Sequence, residues 1–524
     1  MLIKNINQKS ADSAKSIFQI NSTLLDIKYT NSSLMVKFVL MVIITALSLR
    51  GSSTNIYVAK TGTNSNTGKF NSPFSTIQKG LDVAKAGDTV LVKGGIYQEY
   101  VLFPKNGNKG KPIVLKNYAK DTVTIDAQNT RVFCVNADMK NYISIIGINC
   151  INANNYAIRF SNCSNVIIEN CRVSSSTKSA SAEAIIITNS ARKTKYIIKN
   201  CYTNNASDGI CIWGEVTNVL IQNCETENSF YSGISVHAIP DDSIVSPHHI
   251  IIDGVYSHNN GWAGIGVRNT VDITIRNSHV ANNGSTGIQL ERNCYNSVIE
   301  DNISEYNSRS HKFETGIWIF NSTNSIVRRN IMRGNQTGLR VWSMKNFKAY
   351  YNLIINNNFR PNQTTENTSG ADFRESTGKF QNNVLYGNCA SNSKLGSLHV
   401  FPQGKCNISF NNNIIMNDGS AKDMVFDQAD GSKVLCDFNL IFNDKRPVKV
   451  KIKENIYTWS TYKTKSNQDV HSINVDPKFI SPGNGNFKLQ LSSPAINAGM
   501  DVGLTHDYIG NPIFGLPDLG AIEY

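Results

Sequence analysis

The sequence predicts an all-β solenoid of stacked parallel coils, closed at its N-terminal end by a short capping helix. Three observations predict it. A strand-and-turn unit recurs about every 22–31 residues, a small or polar residue recurs at one place in that unit, and an amphipathic helical stripe precedes the first unit.

In the repeat, VLIQNCETEN (219–228) leads to GISVH (233–237) and IIIDGVYSHNN (250–260) to GIGVR (264–268). ITIRNSHVANN (273–283) leads to GIQLE (287–291), and SIVRRNIMRGN (325–335) to GLRVW (338–342). Each unit holds two or three short alternating strands separated by Asn, Gly and Ser. A unit this small cannot bury its own apolar face. The units therefore stack, with strands of successive coils about 4.8 Å apart.

The recurring interior position follows. At the end of one strand the units read Cys171, Cys201 and Cys224, then Gly254 and Ser278, then Asn302, Asn330, Asn352, Asn383, Asn413 and Asn439. Identical side chains in register form ladders whose amides bond to the coils above and below. On this reading the eleven cysteines are stacked core residues with free thiols rather than bridges.

The cap lies in IYVAKTGTNSNTGKFNSPFSTIQKGLDVAKAGDTVLVKGGIY (56–97), where Phe74, Ile77, Leu81 and Ala84 fall at helical spacing. Such a helix covers the open end of a solenoid, which otherwise exposes apolar core and unpaired strand edges.

That opening segment, and the close LSSPAINAGMDVGLTHDYIGNPIFGLPDLGAIEY (491–524), resemble those of secreted right-handed parallel β-helix proteins, family 9 pectate lyases among them. The resemblance runs over about residues 56–524 and implies the right hand of the solenoid and a polysaccharide lyase activity. The family motif Asp-Gly-x-x-x-Lys is matched in SDGICIW (207–213) at Asp208 and Gly209, while Trp213 stands where the catalytic lysine would be. The resemblance also implies a calcium ion held by carboxylates. Asp208, with Asp241 and Asp242 in the turn after His237, are the residues that would supply them.

Domain organisation follows from composition. Residues 1–34 are a polar extension, or lie ahead of a true start at Met35. The stretch VKFVLMVIITALSLRGSS (36–53) places Lys before a short apolar run and then small polar residues, the layout of a signal peptide or signal anchor spanning 35–53. Residues 54–445 form the β-helix with its cap, and 446–524 the terminal coils and closing segment, with the repeat lost around 446–470. The expected protein is exported, monomeric and free of the membrane once the signal is removed. Its net charge of +13, on a chain with only 17% charged residues, suits an anionic partner. No run of Lys and Arg interleaved with aromatics favours nucleic acid.

In the five-residue motif Ile and Val alternate with variable positions, so the third and fifth residues should face outward and form columns, one residue per coil. The fifth column reads Ser161, Thr188, Trp213, His237, Arg268, Glu291, Phe320, Trp342; the third reads Arg159, Ile186, Cys211, Ser235, Gly266, Gln289, Trp318, Arg340. A titratable line flanked by aromatics suits a sugar groove, since ring faces stack on sugars and Arg grips carboxylates in a fork.

Three chemistries fit the columns. In β-elimination on an anionic uronate glycan, His237 is the base, Arg268 pairs the uronate carboxylate and Glu291 orients Arg268. Trp213, Trp318, Phe320, Arg340 and Trp342 bind substrate, and uronan epimerisation shares the first step. Glycoside hydrolysis would instead use Glu183 and Asp208, each just before a motif in adjacent coils, with Glu314 and Glu291 as a further pair. A non-catalytic glycan-binding or adhesion protein would use the same aromatics.

Overall fold

Successive strands pair in parallel along the whole repeat, because each coil returns the chain to the same three faces. The computed structural model describes residues 53–524 apart from 176–181, 239–245, 308–314, 359–366 and 418–421. The solenoid has about 13 turns. The segments expected as polar extension and signal, together with Asp241, Asp242 and Glu314, lie outside the described residues.

The first face carries the motif strands, among them Ile234–His237, Ile265–Arg268 and Ile288–Glu291. The second carries the preceding strands, such as His248–Asp253 and Val271–Arg276. The third is a separate 14-stranded sheet of mostly three-residue strands. Registers match the predicted columns. Cys211 pairs with Ser235 and Trp213 with His237; Gly266 pairs with Gln289 and Arg268 with Glu291; Trp318 pairs with Arg340 and Phe320 with Trp342. Ile234 and Val236 are fully buried, so the inward half of the motif is core.

The leading glycine has a steric reason. A Cβ at Gly233 would lie 2.1 Å from Ser257 Oγ, and one at Gly287 would lie 2.0 Å from Ser304 Oγ. The first-face strand enters against an inward residue of the third face, where only hydrogen fits.

Two interior ladders run along the solenoid. In the expected one, Asn302 Nδ2 donates to Asn330 Oδ1 at 3.0 Å, Asn330 to Asn352 at 3.0 Å and Asn352 to Asn383 at 2.9 Å. One rung differs from expectation. Gln222 pairs with Asp253, which sets Val255 rather than Gly254 level with Cys224. Gly254 takes the preceding left-handed turn position, φ 64°. The second ladder runs through Asn260, Asn283, Asn307, Asn335, Asn357 and Asn388 at the turn into the first face. Its signal was the second Asn of pairs such as Asn259-Asn260 and Asn282-Asn283. All eleven cysteines are buried and unbridged.

The N-terminal helix spans Ile77–Val83, with Thr76 as its cap and Glu99 accepting the first N–H groups of Ile77 and Gln78 at 2.8 and 3.0 Å. Phe74, Ile77, Leu81 and Ala84 are all buried in the main core. At the other end Lys449–Ile452 continues the first face, then folds back as an antiparallel hairpin with Asn455–Thr458, followed by the helix Trp459–Ser466. The loss of repeat in the sequence there is thus a small non-repeating elaboration.

Candidate functional site

A cleft of about 380 Å³ opens on the first face, lined by Asp208, Tyr231, Ser235, His237, Trp262, Arg268, Gln289 and Glu291 among others. Strand pairing stacks His237, Arg268 and Glu291 on successive coils. The structure therefore brings the three predicted catalytic residues to one cavity.

Arg268 is held from the far side. Its Nε and Nη2 both lie 3.2 Å from Glu291 Oε2. Glu291 is itself gripped, because Gln289 Nε2 donates to the same oxygen at 2.5 Å and Trp262 Nε1 donates to Gln289 Oε1 at 3.3 Å. A hydrogen-bonded line thus runs from the rim indole to the arginine. Charge-assisted bonds of this kind fix geometry as well as charge.

Asp208 forms the floor. Its Oδ1 accepts from the Ser232 N–H at 2.8 Å and its Oδ2 from the Ser235 hydroxyl at 2.9 Å. Burial pushes its carboxyl up to about 6, against those two bonds and the charge of Arg268, which pull it down. Glu183 sits on the neighbouring coil, where the Ala184 N–H bonds the Asp208 carbonyl at 3.1 Å. Burial pushes Glu183 up to about 7, with Asp208 adding repulsion, and its Oε2 is buried with no hydrogen-bond partner. Two carboxyls whose hold on a proton is strengthened by burial therefore lie on adjacent coils, Asp208 of them lining the cleft.

Trp213 stacks on His237, ring centres 5.7 Å apart, and Cys211 Sγ lies 3.8 Å from His237 Nε2. Trp318, Phe320 and Trp342 form their own cluster further along, with Trp318 5.9 Å from Phe320 and 6.0 Å from Trp342.

Two expectations need correction. The third column is not exposed: Cys211, Ser235, Gln289 and Arg340 are buried, Ser235 and Gln289 within the cleft that the turn residues Tyr231 and Trp262 wall. The tryptophans Trp213, Trp318 and Trp342 are half-buried rather than open. Arg340 in particular is no substrate fork. It is 4% exposed and spent on Asp372, fully buried on the next coil, through Nε at 3.0 Å and Nη2 at 2.8 Å. Trp342 Nε1 also donates to Asp372 at 3.0 Å, and Arg340 and Arg374 both lie over its ring. This is an internal ion pair with an aromatic cover.

The cleft-wall residues Tyr231 and Trp262 escaped the column reading. Each lies two residues before a motif glycine, in YSG (231–233) and WAG (262–264), and that shared offset was their signal.

Of the expected calcium ligands only Asp208 lies among the described residues. Both Asp208 oxygens are engaged by donors, and among the described residues no group of three or more His, Cys, Asp or Glu side chains is arranged to hold a metal ion. A calcium site needs six or more oxygens.

Fold and repeat together define a right-handed parallel β-helix protein resembling polysaccharide lyases. Residues 56–215 match the family described as Pel9A-like, right handed beta helix region, and residues 217–359 match right handed beta helix region. Over 76 residues the chain is 33% identical to pectate lyase PEL9 of Emericella nidulans, a match covering 14% of this chain and 18% of that one. Over 79 residues it is 34% identical to the uncharacterized protein YwoF of Bacillus subtilis (strain 168), covering 15% and 17%. The matches thus span less than a fifth of these curated relatives. Among solved structures, pectate lyase Pel9A shares 14% identity, with 90% of this chain and 97% of that chain covered and a TM-score of 0.36. The PL6 family alginate lyase AlyGC also shares 14%, covering 89% and 57%, with a TM-score of 0.47.

Proposed function

We propose that this is an exported, monomeric carbohydrate-active enzyme that cleaves an anionic uronate polysaccharide by β-elimination in the first-face cleft. One observation carries the reading: Arg268 is held by Glu291 inside a walled cleft, with His237 on the adjacent coil. Glu291 engages Nε and one side of Nη2, which leaves Nη1 and the outer edge of the guanidinium for a second carboxylate. A uronate carboxylate bound there would lose its negative charge as a barrier, so its α-proton becomes more acidic. His237 takes that proton, the carbon–carbon double bond forms, and the glycosidic carbon–oxygen bond breaks on the neighbouring carbon. The leaving oxygen takes up a proton. The fixed positive charge stabilises the enolate-like intermediate. Epimerisation would instead return the proton to the opposite face. The net charge of +13 supports an anionic substrate.

A second reading rests on Glu183 and Asp208. Adjacent carboxyls pushed up to about 7 and about 6 are suited to general-acid and base or nucleophile roles in glycoside hydrolysis. The test incubates the full chain with pectate, alginate and glycosaminoglycans, with and without calcium. Ultraviolet absorbance of an unsaturated product and new reducing ends are followed together. Absorbance on one uronan, lost in Arg268→Ala and His237→Ala, supports elimination. Reducing ends without absorbance, lost in Glu183→Gln, support hydrolysis. Neither signal, with the glycan retained, leaves a glycan-binding protein.

A further inference from the structure

A second cleft, about 530 Å³, lies where the closing segment crosses the corner between the second and third faces. It shares no lining residue with the first-face cleft. One turn residue per coil at this corner is left-handed, and the column reads Asn223, Gly254, Asn277, Asp301, Arg329, Tyr351, Asn382 and Asn412. Gly, Asn and Asp reach that conformation cheaply; Arg and Tyr do not. Arg329 (φ 54°) and Tyr351 (φ 57°) adopt it on successive coils, and both line the cleft. Phe438, further along the same column, is accounted for by its stack on His471 at 4.7 Å. Other turns hold bulky left-handed residues too, Arg292 (φ 55°) and Tyr306 (φ 51°) among them, so it is the chemistry of the lining that marks this cleft.

Arg329 grips Asp301 in a fork, Nε to Oδ1 and Nη2 to Oδ2 each at 2.7 Å. Arg328 Nε donates to Glu300 at 2.7 Å and its Nη1 to the Tyr350 hydroxyl at 3.1 Å. Two cations and two carboxylates cancel. What they present is an alternation of donors and acceptors: the Nη1 of Arg329, the hydroxyl proton of Tyr350 and the outer lone pairs of Asp301. Leu504 and Ile509 of the closing segment supply apolar surface alongside. Hydroxyls that donate and accept on one edge, with C–H groups on another, describe a neutral sugar ring. An anion would compete with Glu300 and Asp301 for the arginines and would meet Asp507, which also lines the cleft.

We propose that this corner is a second, non-catalytic saccharide site for a neutral sugar unit. It stands independently of the chemistry in the first-face cleft. The test is a ligand-observed NMR titration of the full chain with galactose, xylose, arabinose and rhamnose separately, and with galacturonate as the anionic comparison. The expected result is saturable binding of at least one neutral sugar, unchanged in Arg268→Ala. Arg329→Asn installs the residue that Asn277 and Asn382 carry in the same column. It should weaken binding at least tenfold without lowering the melting temperature. Tyr350→Phe, which removes a single hydroxyl, should weaken it several-fold and serves if the first variant folds poorly. Absence of neutral-sugar binding, preference for galacturonate, or wild-type affinity in both variants overturns the proposal. So does loss of binding in Arg268→Ala, which would place the sugar in the first-face cleft.

Discussion

Arg268 reaches across one coil to Glu291, and two of its nitrogens share the single oxygen Oε2 at 3.2 Å. The pair is half-exposed at the arginine and largely buried at the glutamate. Its value is therefore orientation more than stability, since exposed pairs contribute about 1 kcal/mol or less. Arg268→Ala should lower turnover on the active uronan by roughly 10²–10³-fold, the usual cost of one charge-stabilising donor. Glu291→Gln should lower kcat by about tenfold while leaving the melting temperature nearly unchanged. Initial rates of ultraviolet absorbance check both.

The raised carboxyls set a pH dependence of stability. Asp208 and Glu183 hold their protons more tightly folded than unfolded, up to about 6 and about 7. Their stabilising contribution is fully present below about pH 4 and is lost as pH rises through 6 and 7. Stability should fall across that window by roughly 2 kcal/mol per group, allowing for partial exposure. Asp208→Asn with Glu183→Gln should remove this share of the slope, leaving that of Glu523, which burial also pushes up to about 7, and the variant should exceed the parent at pH 8. Urea denaturation from pH 4 to pH 8 measures it.

Arg340 and Asp372 form a buried pair, so breaking it leaves an uncompensated charge in the interior. Asp372→Ala should destabilise by about 3–5 kcal/mol. If the pair is internal, replacing both partners, Arg340→Met with Asp372→Leu, leaves no uncompensated charge and should leave KM for glycan unchanged even as stability shifts. A large rise in KM would return Arg340 to the substrate groove.

The Asn ladder makes each rung depend on its neighbours. Asn330 Nδ2 bonds Asn352 and the Ile299 carbonyl, and its Oδ1 accepts from the Asn302 backbone N–H at 3.1 Å. Asn330→Leu strands those buried groups and should cost about 2–4 kcal/mol. Chemical denaturation of the single variant is sufficient to see it.

Eleven buried free thiols predict slow alkylation. Iodoacetamide should label none of them in the native protein at pH 8 and all eleven in guanidinium, as read by mass spectrometry. Burial raises the Cys211, Cys294 and Cys389 thiols, which further suppresses the reactive thiolate.

Much of the molecule was readable because a solenoid repeats its own instructions. The spacing of GISVH, GIGVR and GIQLE sets which residues share a column, and strand pairing reproduces those columns residue for residue. The cap helix was equally plain, since Phe74, Ile77, Leu81 and Ala84 describe one buried stripe. The interior rung read as Gly254 is Val255, one position on, because a left-handed glycine is invisible to a pattern of side chains.

Sequence alone determined the coil period, the inward and outward faces, the capped end and the line His237, Arg268, Glu291. These depend on local alternation and on identical neighbours one coil away. Depth was decided only in three dimensions. Asp372 takes Arg340 out of the groove from 32 positions along the chain, and Tyr231 and Trp262 close the walls over Gln289 and Asp208 from the turns. Whether an outward side chain meets water or a partner depends on turns whose paths no repeat encodes, so exposure, and with it the protonation of Asp208, belonged to the tertiary structure.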